Sequence, residues 1–438
     1  TRCRGKSRQN PRKKSTVNLQ PTSDGRYRWT NTLETGQEVA ITARDVRREH
    51  TGLHAKIGLG FDGNILAHDT FNIGRNEDRG RLVKSAFSRL KRLGKLAVIT
   101  YDETDFKADL DIFCLTLEDE FDNRYAGDML LPERNTGNHY ALKPWLVDGG
   151  GTIAFGPPKA GKSYLSLVIC QCIMYGISKF WPVQQQVVCY VNLERSERSM
   201  KHRLALVNEV LGLGYDKGIP MVNARGQSLD RVMQSVRTTV TRHKATIIAI
   251  DSISRAGVGS LVKDDTANRL IDMASSLSQT WWAIGHTPRD NGTHVFGSTM
   301  FEAGYDVGVA VMSERRGNTI GLMLQMTGAN DIPIAKPAYY ALEFTEAPDG
   351  EDSWLSGFRG SREGEFPQLQ ASRIKSQIQN IKDYLNNIGA ATASDIAKFT
   401  GMKVEDAVKL LNTHDFQLSG RQGGNPMYKI SESAYVDS

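Results

Sequence analysis

The stretch Gly156-Pro-Pro-Lys-Ala-Gly-Lys-Ser163 decides the fold of this protein. It matches the pattern G-x-x-x-x-G-K-[ST], and it lies between an apolar run, Gly151–Phe155, and a helix-forming run, Lys162–Ile177. Backbone N–H groups at the start of such a helix point at the phosphates of a nucleotide. The pattern therefore predicts a P-loop that binds ATP through Gly156, Lys159, Ala160, Gly161, Lys162, Ser163 and Tyr164.

Within this loop the residue types predict separate roles. Pro157 and Pro158 have no N–H group, so the phosphate cradle begins at Lys159. Lys162 is expected to place its charge on the β- and γ-phosphates, and the Ser163 hydroxyl is expected to ligate Mg²⁺. A purely structural glycine turn is the alternative, which the strand–loop–helix context disfavours.

A second motif, Ile247-Ile-Ala-Ile-Asp251-Ser252, is a β-branched run that ends in a carboxylate. Such a run predicts a buried strand. Asp251 at its end predicts the second protein group around the Mg²⁺ ion, opposite Ser163. Many strands end in Asp, so this interpretation depends on the P-loop.

Around these motifs, strand-like and helix-like runs alternate from Trp145 to about Phe344. This order predicts an α/β domain at residues 144–345 with a mostly parallel sheet. Two strand-like runs that flank the turn Arg316-Gly317-Asn318 predict an antiparallel hairpin at its end.

Residues 144–344 resemble the RecA-like hexameric ATPases, nearest the RepA-type plasmid replicative helicases. The matching stretches are Pro144–Val147, Phe155–Ser163, Tyr190–Glu194, Ile250–Ser252, Gly285-His286, and Phe296–Ser298 through Asp306. The resemblance implies a RecA-like core and Mg²⁺-dependent ATP hydrolysis at the subunit interfaces of a homo-oligomeric ring, with a hexamer favoured.

By the same resemblance, Glu194 is the general base that activates the attacking water, and His286 is the sensor of the γ-phosphate. A carboxylate at a strand end beside the P-loop suits this chemistry, because it can hydrogen-bond a water in line with the γ-phosphate. The alternatives are a surface ion pair of Glu194 with Arg195 or Arg198, and a purely structural role for the histidine.

The resemblance also implies that single-stranded DNA is gripped in a central channel by the loops after the strands of Asp251 and His286. In this chain the loops are residues 254–263 and 287–294, and their cations are Arg255, Lys263 and Arg289. Glycine-rich loops with cations suit contacts to the phosphate backbone without base reading. Ordinary solvent loops have the same composition, which is the alternative.

One departure from the family concerns a Lys-x-Arg pair on a late strand, which reaches the γ-phosphate of the neighbouring subunit. The corresponding stretch is Met326-Thr-Gly-Ala-Asn330, and it contains neither basic residue. Arg315 and Arg316 in the adjacent turn are candidates to replace the trans-acting arginine. An arginine of this kind contributes about 10³–10⁵ in turnover, so its loss favours slow hydrolysis.

The flanking segments are assigned from composition and pattern. Residues 1–24 form a basic arm, expected to be disordered, and residues 25–122 form a small α+β domain whose function stays open. Residues 123–143 and 346–371 are predicted linkers, and residues 372–438 are predicted to form a winged helix with Val404–Asn412 as recognition helix. The winged helix carries few cations, so a protein partner is almost as reasonable as duplex DNA. The N-terminal domain is another candidate surface for a protein partner.

The composition excludes several classes of protein. The 438 residues are 39% hydrophobic and 24% charged, which excludes whole-chain disorder, collagen-like repetition and a disulfide miniprotein. No apolar run approaches the ~20 residues of a membrane span, and the five cysteines lack metal-site spacing. We therefore expect a cytoplasmic protein without membrane contact. The net charge of +6 is concentrated in the arm, which indicates a polyanionic partner or a solvated tail.

Two functions follow from these features. The first is a replicative or mobile-element DNA helicase that forms a ring and moves along single-stranded DNA. The second is a slow ATP-dependent switch or loader that assembles on DNA or a protein partner without unwinding. A P-loop metabolic kinase is disfavoured, because no lid is evident and a winged helix has no role in that chemistry.

Overall fold

The computed structural model describes residues 25–93, 101–124, 137–257, 259–288, 295–346, 353–400, 402–413 and 415–431, together with residues 19, 22, 127, 129 and 131. The chain divides into two compact units, Thr1–Arg134 and Asn135–Ser438. None of the helices in the described segments has the length and apolar character that a membrane crossing requires.

The first unit is a four-stranded antiparallel sheet with two helices. Its elements are β1 (Tyr27–Thr32), β2 (Glu38–Glu49), β3 (Gly52–Phe61), β4 (Asn64–Asn72), α1 (Asn76–Arg92) and α2 (Glu103–Asn123). The strands follow one another in the order β1-β2-β3-β4. Buried and partly exposed residues alternate along the whole of β3, because one face of the sheet packs on the helices and the other does not.

The second unit begins with the elements that build its large sheet. They are β5 (Tyr140–Leu142), β6 (Leu146–Val147), β7 (Gly151–Gly156), α3 (Lys162–Tyr175), β8 (Val188–Asn192), α4 (Glu197–Leu211), β9 (Met221–Asn223), α5 (Leu229–His243), β10 (Ile247–Asp251), α6 (Ile253–Ala256), α7 (Asp264–Leu277), β11 (Thr280–His286), α8 (Met300–Gly304), β12 (Val307–Arg316), β13 (Thr319–Ala329), β14 (Ala338–Glu346) and β15 (Ser353–Gly360). The sheet has nine strands in the order β15-β14-β13-β12-β7-β11-β10-β8-β9.

The strands from β12 to β9 in this order run parallel, and β13, β14 and β15 extend the sheet in antiparallel fashion. Strands β7, β8 and β10 are buried at every position, because the core lies on both faces of the sheet. Helix α3 contributes to the core on one face, and α5 and α7 contribute to the core on the other. The α/β domain with a mostly parallel sheet and a terminal hairpin is confirmed.

The sheet extends further along the chain than the sequence predicts. Residues 346–371 are a predicted linker, but β15 pairs with β14 along the edge of the sheet. Leu355 and Phe358 on β15 are buried, and the Phe358 ring stacks on Tyr340 at a centroid distance of 5.6 Å. The sequence does not predict this strand, because the residues around Leu355 and Phe358 are glycine, serine and charged residues. An edge strand buries few side chains, so its apolar pattern is weak.

Three helices and a small sheet complete the second unit. They are α9 (Pro367–Ile388), β16 (Ala391–Thr392), α10 (Ala393–Thr400), α11 (Val404–Leu411), β17 (Phe416–Gln422) and β18 (Asn425–Ile430). Helix α9 begins inside the predicted linker, where the backbone N–H of Gln368 donates to the Glu314 carboxylate of β12 at 2.8 Å. A carboxylate at a helix N-terminus is favourable. This contact joins the C-terminal helices to the large sheet.

Candidate active site at the carboxyl edge of the sheet

The P-loop begins where β7 ends, and its backbone conformation explains its two glycines. A Cβ atom on Gly156 would lie 2.1 Å from the carbonyl oxygen of Val311 on β12, so no larger residue fits. Gly161 has a φ of +81° and immediately precedes α3, and Lys159 also adopts a left-handed conformation. The chain thereby turns sharply and aims the first N–H groups of α3 back over the loop, as an anion site at a helix N-terminus requires.

Lys162 lies inside this loop and is only 6% exposed. Its ammonium group donates to the carbonyl oxygens of Gly156 and Pro157, at 2.7 and 2.6 Å. Burial lowers the pKa of Lys162 to about 8, while the negative charges of Glu194 and Asp251 act in the opposite direction. The ammonium therefore needs a stronger counter-charge, which the phosphates of a nucleotide supply.

Asp251 lies at the end of β10 and is 1% exposed. The Tyr190 hydroxyl donates to its carboxylate at 2.9 Å, and the Ser163 side chain is near enough to lower its pKa. Burial, and then the charge of Glu194, raise the pKa of Asp251. A carboxylate beside a P-loop hydroxyl, held away from water and short of positive charge, fits Mg²⁺, which binds few protein groups and takes its other ligands from phosphate and water.

Glu194 follows β8 at the same edge of the sheet. Its carboxylate accepts a hydrogen bond from Ser252, which comes after a cis peptide bond with Asp251, and it lies 3.7 Å from His286 Nε2. The His286 side chain, and then the Ser252 hydroxyl, lower the pKa of Glu194 to about 2 against the effect of burial. Glu194 is therefore ionised at neutral pH. In this form it is suited to accept a hydrogen bond from a water and to orient it.

Within the part of the chain that the structure describes, Glu194 makes no ion pair with Arg195 or Arg198; its ion-pair contact is with His286. His286 ends β11 opposite Gly156, where the P-loop begins, and its Nδ1 atom is buried without a hydrogen-bond partner among the described residues. Glu194, Ser252 and His286 thus form one polar cluster that joins the ends of three neighbouring strands. Their catalytic and sensor roles stay predictions.

Arg203 is a residue of this site that the sequence does not reveal. Its guanidinium lies 4.4 Å from the ring centroid of Tyr164, the residue after Ser163. Burial, and then the charge of Arg195, lower the pKa of Arg203, while Tyr164 and Asp251 act in the opposite direction. Helix α4 carries many charged residues, so the sequence offers no signal to single out this one. Tyr164, predicted to contact nucleotide, packs here between Arg203 and Phe344.

The predicted DNA-binding loops start at the same edge. Arg255 lies on the short helix α6 and Lys263 immediately precedes α7, and both side chains are exposed. The first loop is hydrogen-bonded to the chain just before α8: the backbone N–H of Ser298 donates to the Leu261 carbonyl at 2.9 Å. Arg289 lies outside the described residues.

The candidate trans-acting arginines lie on a late strand of the large sheet. Arg315 and Arg316 end β12, which runs parallel to β7, so both lie at the P-loop edge. Met326–Asn330 lies at the other end of the hairpin, since Ala329 pairs with Val307 at the start of β12. The aligned stretch therefore lies at the edge of the sheet opposite the chain's own P-loop. Arg316 donates to the Glu365 carbonyl at 2.8 Å, whereas Arg315 donates to the Gly317 carbonyl of its own turn at 3.4 Å.

Comparison with known proteins supports a coarse assignment. Residues 129–292, less than half of the chain, match the family model described as an AAA domain. No curated protein matches the chain. A crystal structure of a KaiC-like protein from the archaeon Pyrococcus horikoshii aligns at 11% identity with a TM-score of 0.35, over 53% of this chain and 100% of that one; this similarity is too weak to add to the argument. The family match, the P-loop and the mostly parallel sheet together support a P-loop ATPase domain that is similar to the AAA domains.

Proposed function

We propose that the protein is a ring-forming ATPase of the RecA/RepA-like class that acts on DNA, as a replicative or mobile-element helicase. One observation carries this proposal. Strands β10 and β11 each end in a residue of the nucleotide site, Asp251 and His286, and each continues directly into a loop predicted to bind DNA. A shift at the γ-phosphate can therefore move both loops, and the first loop is also hydrogen-bonded, at Leu261, to Ser298 in the chain that follows the second loop.

Each residue of the site has a separate role in ATP hydrolysis. Lys162 and the first N–H groups of α3 bind the ATP phosphates, and Ser163 and Asp251 hold Mg²⁺. When bound, Mg²⁺ neutralises phosphate charge. Glu194, fixed by Ser252 and His286, accepts a hydrogen bond from the attacking water and aligns it with the γ-phosphate.

In this proposal a second subunit completes the site. Arg315 is the better candidate for the trans-acting group, because its described polar contact is with its own turn, whereas Arg316 is held by the chain before α9. An arginine at the tip of a hairpin can reach across an interface to a neighbouring nucleotide. We infer a homo-oligomer, with a hexamer favoured by the resemblance.

The C-terminal elements are proposed to form a winged helix with α11 as recognition helix. Lys403 and Lys409 are its cations, and Lys409 lies 3.7 Å from Asp406 on the same helix. This arrangement leaves little charge for duplex DNA, since tight binding needs several phosphate contacts. A protein partner therefore fits α11 about as well.

A slow switch or loader is the second candidate function. The observation that favours it is the state of Glu194, whose pKa of about 2 makes it a weak proton acceptor while Ser252 and His286 occupy it. Such a protein binds ATP, assembles on DNA or a partner, and hydrolyses slowly.

Steady-state ATP turnover with and without single-stranded DNA tests the proposal, with Lys162→Ala as the blank. We expect single-stranded DNA to stimulate turnover well above the basal rate. Arg255→Ala/Lys263→Ala should abolish the stimulation and keep basal turnover. The matched control, Arg242→Ala, removes an exposed cation near the end of α5 and should keep both.

Unwinding of a forked duplex separates the two functions. Stimulated turnover with unwinding supports the helicase, and DNA-independent turnover without unwinding rejects it in favour of the switch. Stimulation that survives the loop variant would show that DNA acts elsewhere on the protein.

A further inference from the structure

Neither described helix of the first unit packs on one face of its four-stranded sheet, which we call the open face. Its other face packs on α1 and α2. On the open face lies a groove of about 550 Å³. Its floor consists of small residues, since Ala40 is paired with Gly60 and Thr42 with Gly58 across β2 and β3. Glycines inside a strand leave the backbone open to the close approach of a ligand.

The walls of this groove are basic. Arg28, Arg44 and Lys56 line it, and Glu38 is the acid among its described lining residues. Glu38 is already paired with Arg28, at 2.8 Å. Arg44 and Lys56 face each other directly in the β2–β3 register, and neither makes an ion pair with any described residue. Like charges in directly opposed cross-strand positions destabilise a sheet. This pair therefore lowers the stability of the sheet, and an anion bound between the two cations would offset that loss.

We propose that this groove binds a single strand of nucleic acid through its phosphates. The sheet spans three strand spacings of about 4.8 Å from β1 to β4, which gives a width of about 14 Å and room for one strand. The aromatic residues at its margin, Tyr27 and Phe61, are buried in the core. The exposed ring among its described lining residues is His68, so phosphate contacts carry most of the binding, which is sequence-neutral and salt-dependent.

An acidic protein segment is the competing occupant. A folded partner or peptide usually needs pockets for apolar or aromatic anchors. The floor of glycine, alanine and threonine provides none, and the exposed apolar residue Ile65 lies at the end of the groove, beside the β3–β4 turn. A phosphate backbone needs only unpaired cations along a groove that side chains do not block. The inference goes beyond the proposed function, because it concerns the first unit and requires no ATP.

The test is fluorescence anisotropy of the full chain without nucleotide, using labelled oligothymidylate of about 16 nucleotides. Arg44→Gln/Lys56→Gln removes the opposed pair. The matched control, Lys84→Gln/Lys91→Gln, removes two exposed lysines of α1, which packs on the opposite face of the sheet. Two lost phosphate contacts at a salt exponent of about 0.7 each reduce the exponent by about 1.4 and weaken affinity about 25-fold at 0.1 M salt. The α1 variant should keep the exponent of the unchanged protein.

A benzophenone amino acid at Thr42, in the floor, locates the strand directly. It should crosslink to the oligonucleotide, and the same group at the exposed Ser88 of α1 should not. An unchanged salt exponent in the groove variant, an equal loss in the α1 variant, or no crosslink at Thr42 overturns the proposal. Displacement of the oligonucleotide by polyglutamate at equal charge also overturns it and assigns the groove to an acidic protein. Because ATP is absent, these results do not depend on the outcome of the turnover assay.

Discussion

Raising the pH from 7 to 9 should weaken ATP binding to the free protein through one group, Lys162. Its ammonium is buried in the P-loop, and burial brings its pKa from the usual 10.5 to about 8. The shift corresponds to roughly 3 kcal/mol against the charged form. The carbonyl oxygens of Gly156 and Pro157 offset part of this cost, and phosphates bound beside the ammonium would offset more.

The size of the effect follows from the pKa. With a value of about 8, Lys162 is about 90% protonated at pH 7 and about 10% at pH 9. Only the charged form pairs with the phosphates, so affinity should fall roughly tenfold across this interval. Once ATP is bound, the phosphates raise the pKa of the lysine again. Turnover at saturating ATP should therefore stay nearly flat over the same range.

Titration with a fluorescent ATP analogue and Mg²⁺ at each pH measures this dependence. Lys162→Ala lacks the group, so it should bind weakly and show no alkaline loss. Affinity of the unchanged protein that stays constant up to pH 9 would refute the argument that burial destabilises this ammonium.

Stability should change in the opposite direction. A lysine whose folded pKa lies below its unfolded value destabilises the fold while it is charged, and this penalty disappears as pH rises from about 8 to 10.5. The difference in Tm between the nucleotide-free protein and Lys162→Met should therefore shrink over that interval.

Three further predictions concern the same site. Glu194→Gln should bind ATP normally and lose about 10²–10⁴ in turnover; retained single-turnover hydrolysis would show that another group orients the water. Gly156→Ala places a methyl group against the β12 carbonyl at 2.1 Å and should lower the free energy of unfolding by about 3 kcal/mol or more. Gly218→Ala, which meets open space, should cost far less in the same denaturant titration. Arg203→Gln should raise KM for ATP, since it removes a half-buried cation beside Tyr164, the residue after Ser163, whereas the exposed Arg198→Gln on the same helix should not; equal KM values for the two variants would contradict this role.

The nucleotide site was largely predictable because each of its main parts is a local pattern. The P-loop is a contiguous motif, and Asp251 ends an apolar run that reads as a buried strand. Carboxyl ends of neighbouring parallel strands meet at one edge of a sheet, so an alternation of strands and helices already brings these groups together. Arg203 was not predictable, because its neighbour Tyr164 lies on another helix and nothing in the sequence records that packing.

The sequence by itself determined that this protein has a P-loop, a buried strand ending in Asp251 and an α/β domain around them. Those features depend on residue spacing within single elements and on the helix and strand periods. Only the tertiary structure decided that β15 joins the sheet, that Met326–Asn330 lies at the edge away from the P-loop, and that Arg44 opposes Lys56 on an open face. The physical reason is that strand order and register come from pairing between distant segments, whereas periodicity reports only how each segment is buried along its own length.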